Sequence, residues 1–237
     1  MALTYTETAW NTAGTAGSSG YFKEVTVSCA TGDLLVAFGA NGQYDSSRTT
    51  RQITTNTGST SAWTTDALSP IHQSDCDTIC GWATVSSGTS VTVRVQLRSV
   101  AAHVMGAAVW VIPAAEWTGT PALQAIGPSD TTNYQWNVSL GATSKVLQAA
   151  ADFAAADPSG IAITPSGTSH MKAIASGSNY ALTLSSWTGQ TAATRAYGLV
   201  SDPGADKFSG AIVAVQEVDA PLPGSPVTYG RLIVIGG

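Results

Sequence analysis

Val91-Thr-Val-Arg-Val-Gln-Leu-Arg98 alternates apolar and polar residues without a break over eight positions. A period of two sends Val91, Val93, Val95 and Leu97 to one face and Thr92, Arg94, Gln96 and Arg98 to the other. No helix presents such a face. The stretch reads as a half-buried β-strand with its odd residues in a core and its even residues in solvent. Immediately upstream, Ser86-Ser-Gly-Thr89 reads as a loop, so Gly81–Val85 and Val91–Leu97 are expected to pair as a hairpin. Downstream, Val104–Ile112 is apolar throughout and stops at Pro113, as expected of a central strand buried on both faces.

The same grammar extends in both directions. Glu24-Val-Thr-Val-Ser-Cys29 alternates, with Val25, Val27 and Cys29 on one face. Thr31-Gly-Asp33 reads as a turn and Leu34–Phe38 as a more fully apolar strand, together a second expected hairpin. Beyond Pro113 the pattern recurs: Ser144–Phe153 is apolar, Tyr180–Ser185 alternates, and Arg195–Val200 and Ser209–Val218 flank the turn signal Asp202-Pro-Gly-Ala-Asp206. The Ala-rich run Leu147–Ala156 has helical propensity, but its setting in a strand series makes it a strand. A short helical turn is expected near Ala114–Trp117.

Met105-Gly-Ala-Ala-Val-Trp-Val-Ile112 echoes Ser209-Gly-Ala-Ile-Val-Ala-Val-Gln216, and Leu34–Phe38 echoes Val146–Ala150. Two buried strands share such composition by chance alone, since similarity at the level of one strand is a weak sign of repetition. The sharper reading is a pseudo-duplicated sandwich in which each half supplies matching strands.

Composition narrows the setting. Of 237 residues, 43% are hydrophobic, enough for a sizeable core, but only 11% are charged. The polar surface is therefore made of Ser, Thr, Asn and Gln, which suits a chain packed in an assembly. The net charge of −5 and the scattered Lys and Arg residues supply no positive footprint for nucleic acid. No apolar run approaches a membrane span, and Met1-Ala-Leu-Thr-Tyr-Thr-Glu7 lacks the features of a signal peptide. The expectation is synthesis in a cytoplasm, with release by another route such as lysis. Three cysteines, Cys29, Cys76 and Cys80, do not make a disulfide framework.

Chemistry-bearing motifs are sparse. His72, Asp75, Cys76, Asp77 and Cys80 form the best local cluster, but His-x3-Cys-x3-Cys is not a zinc spacing. Cys80 reads more simply as a small buried hydrophobe. There is no Gly-x-Ser-x-Gly, no phosphate-binding glycine loop and no dinucleotide fingerprint. Glu7, Glu24, Glu116 and Glu217 are dispersed, and most Asp residues fall in turn contexts. No catalytic, cofactor or metal residue is expected. Among seven tryptophans, Trp82 and Trp110 lie within apolar strands and belong in a core. Trp63, Trp136 and Trp187 are flanked by small polar residues, which admits exposed rings able to bind a sugar; the plainer reading caps the ends of strands.

After Val218 the composition changes. Asp219-Ala-Pro-Leu-Pro-Gly-Ser-Pro226 reads as an extended linker, and Val227–Gly237 follows with the apolar run Leu232–Ile235. Val227, Tyr229, Leu232, Ile233, Val234 and Ile235 are the candidate assembly residues. They either fold back on their own core or add a strand to a partner.

The second half resembles a module of structural proteins from tailed phages that infect actinobacteria. The resemblance rests on Lys145-Val-Leu-Gln-Ala-Ala-Ala-Asp-Phe153, Ala154–Gly160, Thr194-Arg-Ala-Tyr-Gly-Leu-Val200, Asp202-Pro-Gly-Ala205 and Phe208–Val218. Val25-Thr-Val, Gly32-Asp-Leu-Leu-Val-Ala-Phe38 and Trp63 look like the opening of such proteins. Residues 20–218 carry the likeness, which is one of pattern; where the family has Asp-Trp, this chain has Asp152-Phe153. The resemblance implies a virion component, either a minor tail protein or a capsid decoration or fibre protein, and no catalytic residues.

The expectations are therefore an all-β chain: an antiparallel β-sandwich, jelly-roll-like and pseudo-duplicated, over residues 1–219, with a Pro-rich linker and apolar C-terminal arm at 220–237. The expected role is non-enzymatic, in a virion, as a homo-oligomer contacting capsid or tail subunits, with no nucleic acid, membrane or cofactor as partner. A carbohydrate-binding module, with a host surface glycan as ligand, is the alternative.

Overall fold

The computed structural model describes residues 4–7, 12–13, 15–17, 20–41, 52–65, 71–72, 76–97, 104–129, 134–153, 162–174, 180–200 and 207–218. They form antiparallel sheets with one 3-10 turn, Ala114–Glu116, where a helical turn is expected. The assembly residues Val227–Ile235 lie outside the described residues.

The first half contains β1 (Thr4–Glu7), β2 (Thr12–Ala13), β3 (Thr15–Gly17), β4 (Gly20–Ser28), β5 (Leu34–Asn41), β6 (Gln52–Thr60), β7 (Thr64–Thr65), β8 (Ile71–His72), β9 (Cys76–Leu97) and β10 (Val104–Ile112). The alternation at Val91–Val95 places all three valines in a core, as expected, while Thr92 and Arg94 remain half-exposed. Gln96 departs from the expectation. It belongs to the polar row but is buried, and its Oε1 accepts a bond from Gln52 Nε2 at 2.9 Å.

Both expected hairpins are replaced by a longer device. Residues 76–97 form one continuous strand, β9, which bends at Ser86–Thr89. Its first part pairs with β5 on one side and with β7 and β8 on the other, while its second part lies between β4 and β6. The two parts do not pair with each other because both edges of each are already occupied. Likewise β4 and β5 lie end to end along β9, joined at a corner where Cys29 N donates to Thr89 O and Gly32 N to Val85 O. Gly32 has φ +92°, a left-handed conformation that glycine adopts without strain. Strands that pass from one sheet to the next through such bends make the corners of a sandwich.

The second half contains β11 (Trp117–Ser129), β12 (Tyr134–Ser139), β13 (Ser144–Phe153), β14 (Ala162–Thr164), β15 (Thr168–Ile174), β16 (Tyr180–Gln190), β17 (Thr194–Val200) and β18 (Lys207–Glu217). Its inner sheet has the order β11-β18-β13-β16-β15 and its outer sheet β12-β17-β14. The first half reproduces this order. There, β1-β10-β5 and the first part of β9, with β7 and β8 beyond, form the inner layer. The second part of β9 lies between β4 and β6 in the outer layer. Every pairing of the second half thus has its counterpart in the first.

The chain therefore stacks four layers, and the described residues form three core clusters. One fills the first sandwich with Val25, Val27, Ile53, Val91, Val93, Val95 and the odd residues of β5 and β10. One fills the second sandwich with Val138, Leu140, Val146, Trp187, Tyr197 and Ile212. The third lies between the two inner sheets: Leu34, Val36, Phe38, Cys80, Ala108, Trp110 and Ile112 face Leu147, Ala149, Leu184, Ala211, Val213 and Val215. Burial of each large apolar side chain stabilises by about 1.5–3 kcal/mol, so this middle cluster welds the halves together. Phe38 and Trp110 meet edge to face at 5.4 Å. Strands β5 and β10 are buried on both faces because a cluster lies on each side.

The sequence echoes identify the equivalent strands but miss their register by one residue. They align Ala107 with Ala211 and Leu34 with Val146. In space, Ala107 faces the first sandwich while Ala211 faces the middle cluster; Leu34 faces the middle cluster while Val146 faces the second sandwich. The rung Phe38–Cys80–Ala108 instead matches the rung Ala149–Leu184–Ala211. A shift of one residue in a strand exchanges its two faces.

Candidate functional site

Three places gather functional groups, and each depends on a corner or an end of a strand. The first is the junction between the halves. Asp33, at the corner of the first sandwich, accepts from Ala30 N at 2.7 Å and from Ala114 N at 3.0 Å through its two carboxylate oxygens. Trp117 Nε1 donates to Gly32 O at 3.3 Å. The connection Pro113–Trp117 is thereby held against that corner. On its far side the Lys145 ammonium, buried at the start of β13, lies 3.2 Å from Glu116 Oε2 and 3.7 Å from Glu217 Oε1. Glu217 Oε1 also accepts from Gly189 N at 3.1 Å. Glu116 Oε1 is buried with no hydrogen-bond partner among the described residues. A lysine shared by two carboxylates at the rim of an apolar cluster positions the connection; it does not resemble an acid–base pair facing a cleft.

The second place is the outer face of β4, β9 and β6. Polar rungs cross it in register. Glu24 accepts from Arg94 Nε at 2.8 Å and from Arg94 Nη2 at 2.6 Å, and the Arg94 guanidinium lies 4.1 Å above the Phe22 ring. Thr26 and Thr92 share a bond of 2.9 Å, and Ser59 and Ser86 one of 2.6 Å. Cys29, at the corner, is half-buried; burial pushes its thiol pKa up, and the nearby Asp33 charge adds to this. Cys80 is fully buried in the middle cluster, as the plainer reading expects. Burial lowers the Lys23 pKa.

The third place is a groove of about 330 Å³ at the corner of the second sandwich. Thr120 and Ala122 of β11 form one wall, and Ala214 and Gln216 of β18 another. The corner residues Ser139 to Ala142, with Ser144, form the third. A bulge in β11 between Thr118 and Ala122, with Gly119 at φ +72°, interrupts its pairing with β18 beside the groove. The lining is neutral throughout, and apart from Leu140 and Gln216 its side chains are small. Its volume is at the lower end of the roughly 300–1,000 Å³ typical of ligand sites, but it lacks their aromatic walls.

The aromatic candidates Trp63, Trp136 and Trp187 do not form a sugar platform. Trp187 is corrected from exposed to buried, with 1% of its surface accessible. Its Nε1 donates to Pro165 O at 2.6 Å, and its ring meets Tyr197 edge to face at 5.3 Å. Burial raises the Tyr197 pKa, and Arg195 opposes the rise. Trp63 is half-buried against the first core and donates Nε1 to Thr55 Oγ1 at 3.0 Å. Trp136 is half-buried against the second core. Trp63 and Trp136 thus belong to different sandwiches.

Sequence reasoning overlooked the groove altogether, because alanine, glycine and serine at a strand end carry no distinctive signal. It also overlooked the ion trio, whose members are far apart in sequence. Comparison of the chain with protein-family profiles, characterised proteins and solved structures gives no match.

Proposed function

We propose that this chain is a non-enzymatic structural component of a phage virion, a minor tail protein or a capsid decoration or fibre protein, built to be rigid. One observation carries the reading: the two sandwiches are joined face to face through a continuous apolar cluster. The central strands of the inner sheets, β5 with β10 and β13 with β18, are buried on both faces along most of their described length, so the halves act as one block that can bear or transmit load. In each half the strand order is 1-8-3-6-5 facing 2-7-4. We read this as a jelly roll whose fifth strand has joined the inner sheet. Jelly rolls build viral capsid proteins and lectin domains, so the fold is compatible with both functional classes and, as analogy, decides neither.

The charged groups favour the structural class. Glu24, Arg94, Glu116, Lys145 and Glu217 are engaged with one another, Asp33 with backbone, and Arg195 with Gln190 and Thr191. Groups held this way maintain a surface and a junction. The buried ring of Trp187 weighs against the carbohydrate-binding alternative.

The test is incorporation. A tagged copy, expressed during the lytic cycle of a phage that encodes this chain, is expected to co-sediment with particles through an equilibrium density gradient at a fixed copy number. Recovery only in the particle-free lysate overturns the reading.

A further inference from the structure

We propose that the second sandwich holds an internal water-binding site, built by the Gln148 carboxamide with the Ser185 and Thr183 hydroxyls. The site concerns the interior of one half and does not rest on the virion reading.

Gln148 lies two residues beyond Val146 on β13, so it shares the face that Val146 turns into the second core. The register sets it beside Ile212 of β18 and Ser185 of β16, and the next rung on this face is Gly210, Ala150 and Thr183. Gln148 is 2% exposed, and neither its Nε2 nor its Oε1 has a hydrogen-bond partner among the described residues. A carboxamide can donate two hydrogen bonds and accept two. Burying it with none made forfeits its hydration without return, so native structures supply a protein or water partner in almost every case.

The first sandwich shows the same positions in a dry form. With Phe38 matched to Ala149, the rung equivalent to Ile212, Gln148 and Ser185 is Val109, Ala37 and Gly81. The next rung there is Ala107, Gly39 and Ile79. None of these six residues has a polar side-chain atom, and the Ile53 Cδ1 methyl covers Gly81, 3.2 Å from where a Cβ would stand. In the second sandwich the apolar cluster reaches Val146 and Ile212, and the next positions carry a carboxamide and two hydroxyls. The two halves share a backbone plan, so the change from apolar to polar belongs to this site and not to the fold.

Water fits these groups. An internal water needs two to four polar partners, roughly three on average. The amide supplies both a donor and an acceptor, and each hydroxyl can act as either. Ala150 and Gly210 place no bulk beside the amide. Ser185 and Thr183 are 2% and 4% exposed, so the site is closed to a larger ligand.

The test uses the full chain. A high-resolution crystal structure is expected to show an ordered water within about 2.7–3.2 Å of Gln148 Nε2 or Oε1 and of a hydroxyl on Ser185 or Thr183. An amide that touches only protein atoms overturns the proposal. In solution, oxygen-17 relaxation dispersion counts long-lived internal waters. Gln148→Leu is expected to lower that count by about one molecule, and an unchanged count overturns the site. Should Gln148→Leu fail to fold, Ser185→Ala with Thr183→Val removes the other partners and is read in the same way. These readouts do not depend on particle incorporation, so the water site and the virion reading fail separately.

Discussion

Thr78 Oγ1 and Ser209 Oγ lie 2.8 Å apart across the middle layer, both fully buried. They join β9 of the first sandwich to β18 of the second, 131 residues apart in sequence, at the rim of an otherwise apolar contact. A hydrogen bond between buried neutral groups is directional, so it sets how the two inner sheets are rotated against each other, which hydrophobic contact alone does not do.

Thr78→Val and Ser209→Ala each delete one side of this bond. Each is expected to lower stability by about 1–3 kcal/mol, and the double variant to lose less than the sum. Urea unfolding of all four proteins gives the coupling. Strict additivity would show that the bond contributes nothing.

Gly167→Ala should damage the second sandwich specifically. A Cβ there would stand 2.4 Å from Trp187 Cδ1 and Nε1 and 2.8 Å from Ser186 O. The indole is buried and its Nε1 is bonded to Pro165 O, so it has nowhere to retreat. Overpacking of this kind costs about 1–3 kcal/mol. A fall in thermal midpoint with a red-shifted tryptophan emission is expected, and an unchanged midpoint refutes the packing.

Lys145→Met removes the cation held between Glu116 and Glu217. The two carboxylates are left at a mostly buried junction, where loss of one member of an ion pair costs about 3–5 kcal/mol. Because the trio ties the connection to the second half, a two-step denaturant profile is expected to replace a single step. A loss below about 1 kcal/mol would assign the trio to an exposed surface pair.

Cys29 should alkylate with an unusual pH profile. Burial, and then the Asp33 charge, raise its pKa above 9.0. The thiolate is the reacting form, so iodoacetamide labelling of the Cys29 peptide should reach half-maximal rate above pH 9. The folded state holds its proton more tightly than the unfolded one. The resulting stability is complete below the unfolded pKa and is lost as pH rises through the folded pKa. Asp33→Asn should move the midpoint down without abolishing the shift. A midpoint at or below 9.0 in the wild type contradicts the burial of this thiol.

Of the candidate site, little was legible. The groove at the corner of the second sandwich is made of neutral residues at two strand ends and one corner, and such residues carry no distinctive sequence signal. The exposed-aromatic reading failed at Trp187 because small polar flanks describe a strand in either setting. Whether the ring between them points into a sandwich depends on the opposing sheet, here Tyr197 of β17. Gln96 failed for a related reason: the polar row was read correctly, but a partner on β6 buried one of its members.

The alternation of Val91–Leu97 and the apolar run of Val104–Ile112 were sufficient to determine that these segments are strands, and the valines at 91, 93 and 95 and the run 106–112 are buried as the pattern requires. Side-chain hydrophobicity is written in the sequence, and a strand converts it directly into faces. Which strand lies beside which was decided only in the tertiary structure. Backbone hydrogen bonds are nearly the same for every residue, so nothing in Ser86–Thr89 announces a bend in one long strand instead of a hairpin. The near-repeat of Met105–Ile112 and Ser209–Gln216 pointed to equivalent strands and still gave the wrong register, because the face that Ala107 or Ala211 occupies is set by the layer packed against it. The chain encodes its strands locally, whereas the stacking of two sandwiches through Thr78, Ser209 and the apolar layer around them is a property of the assembled sheets.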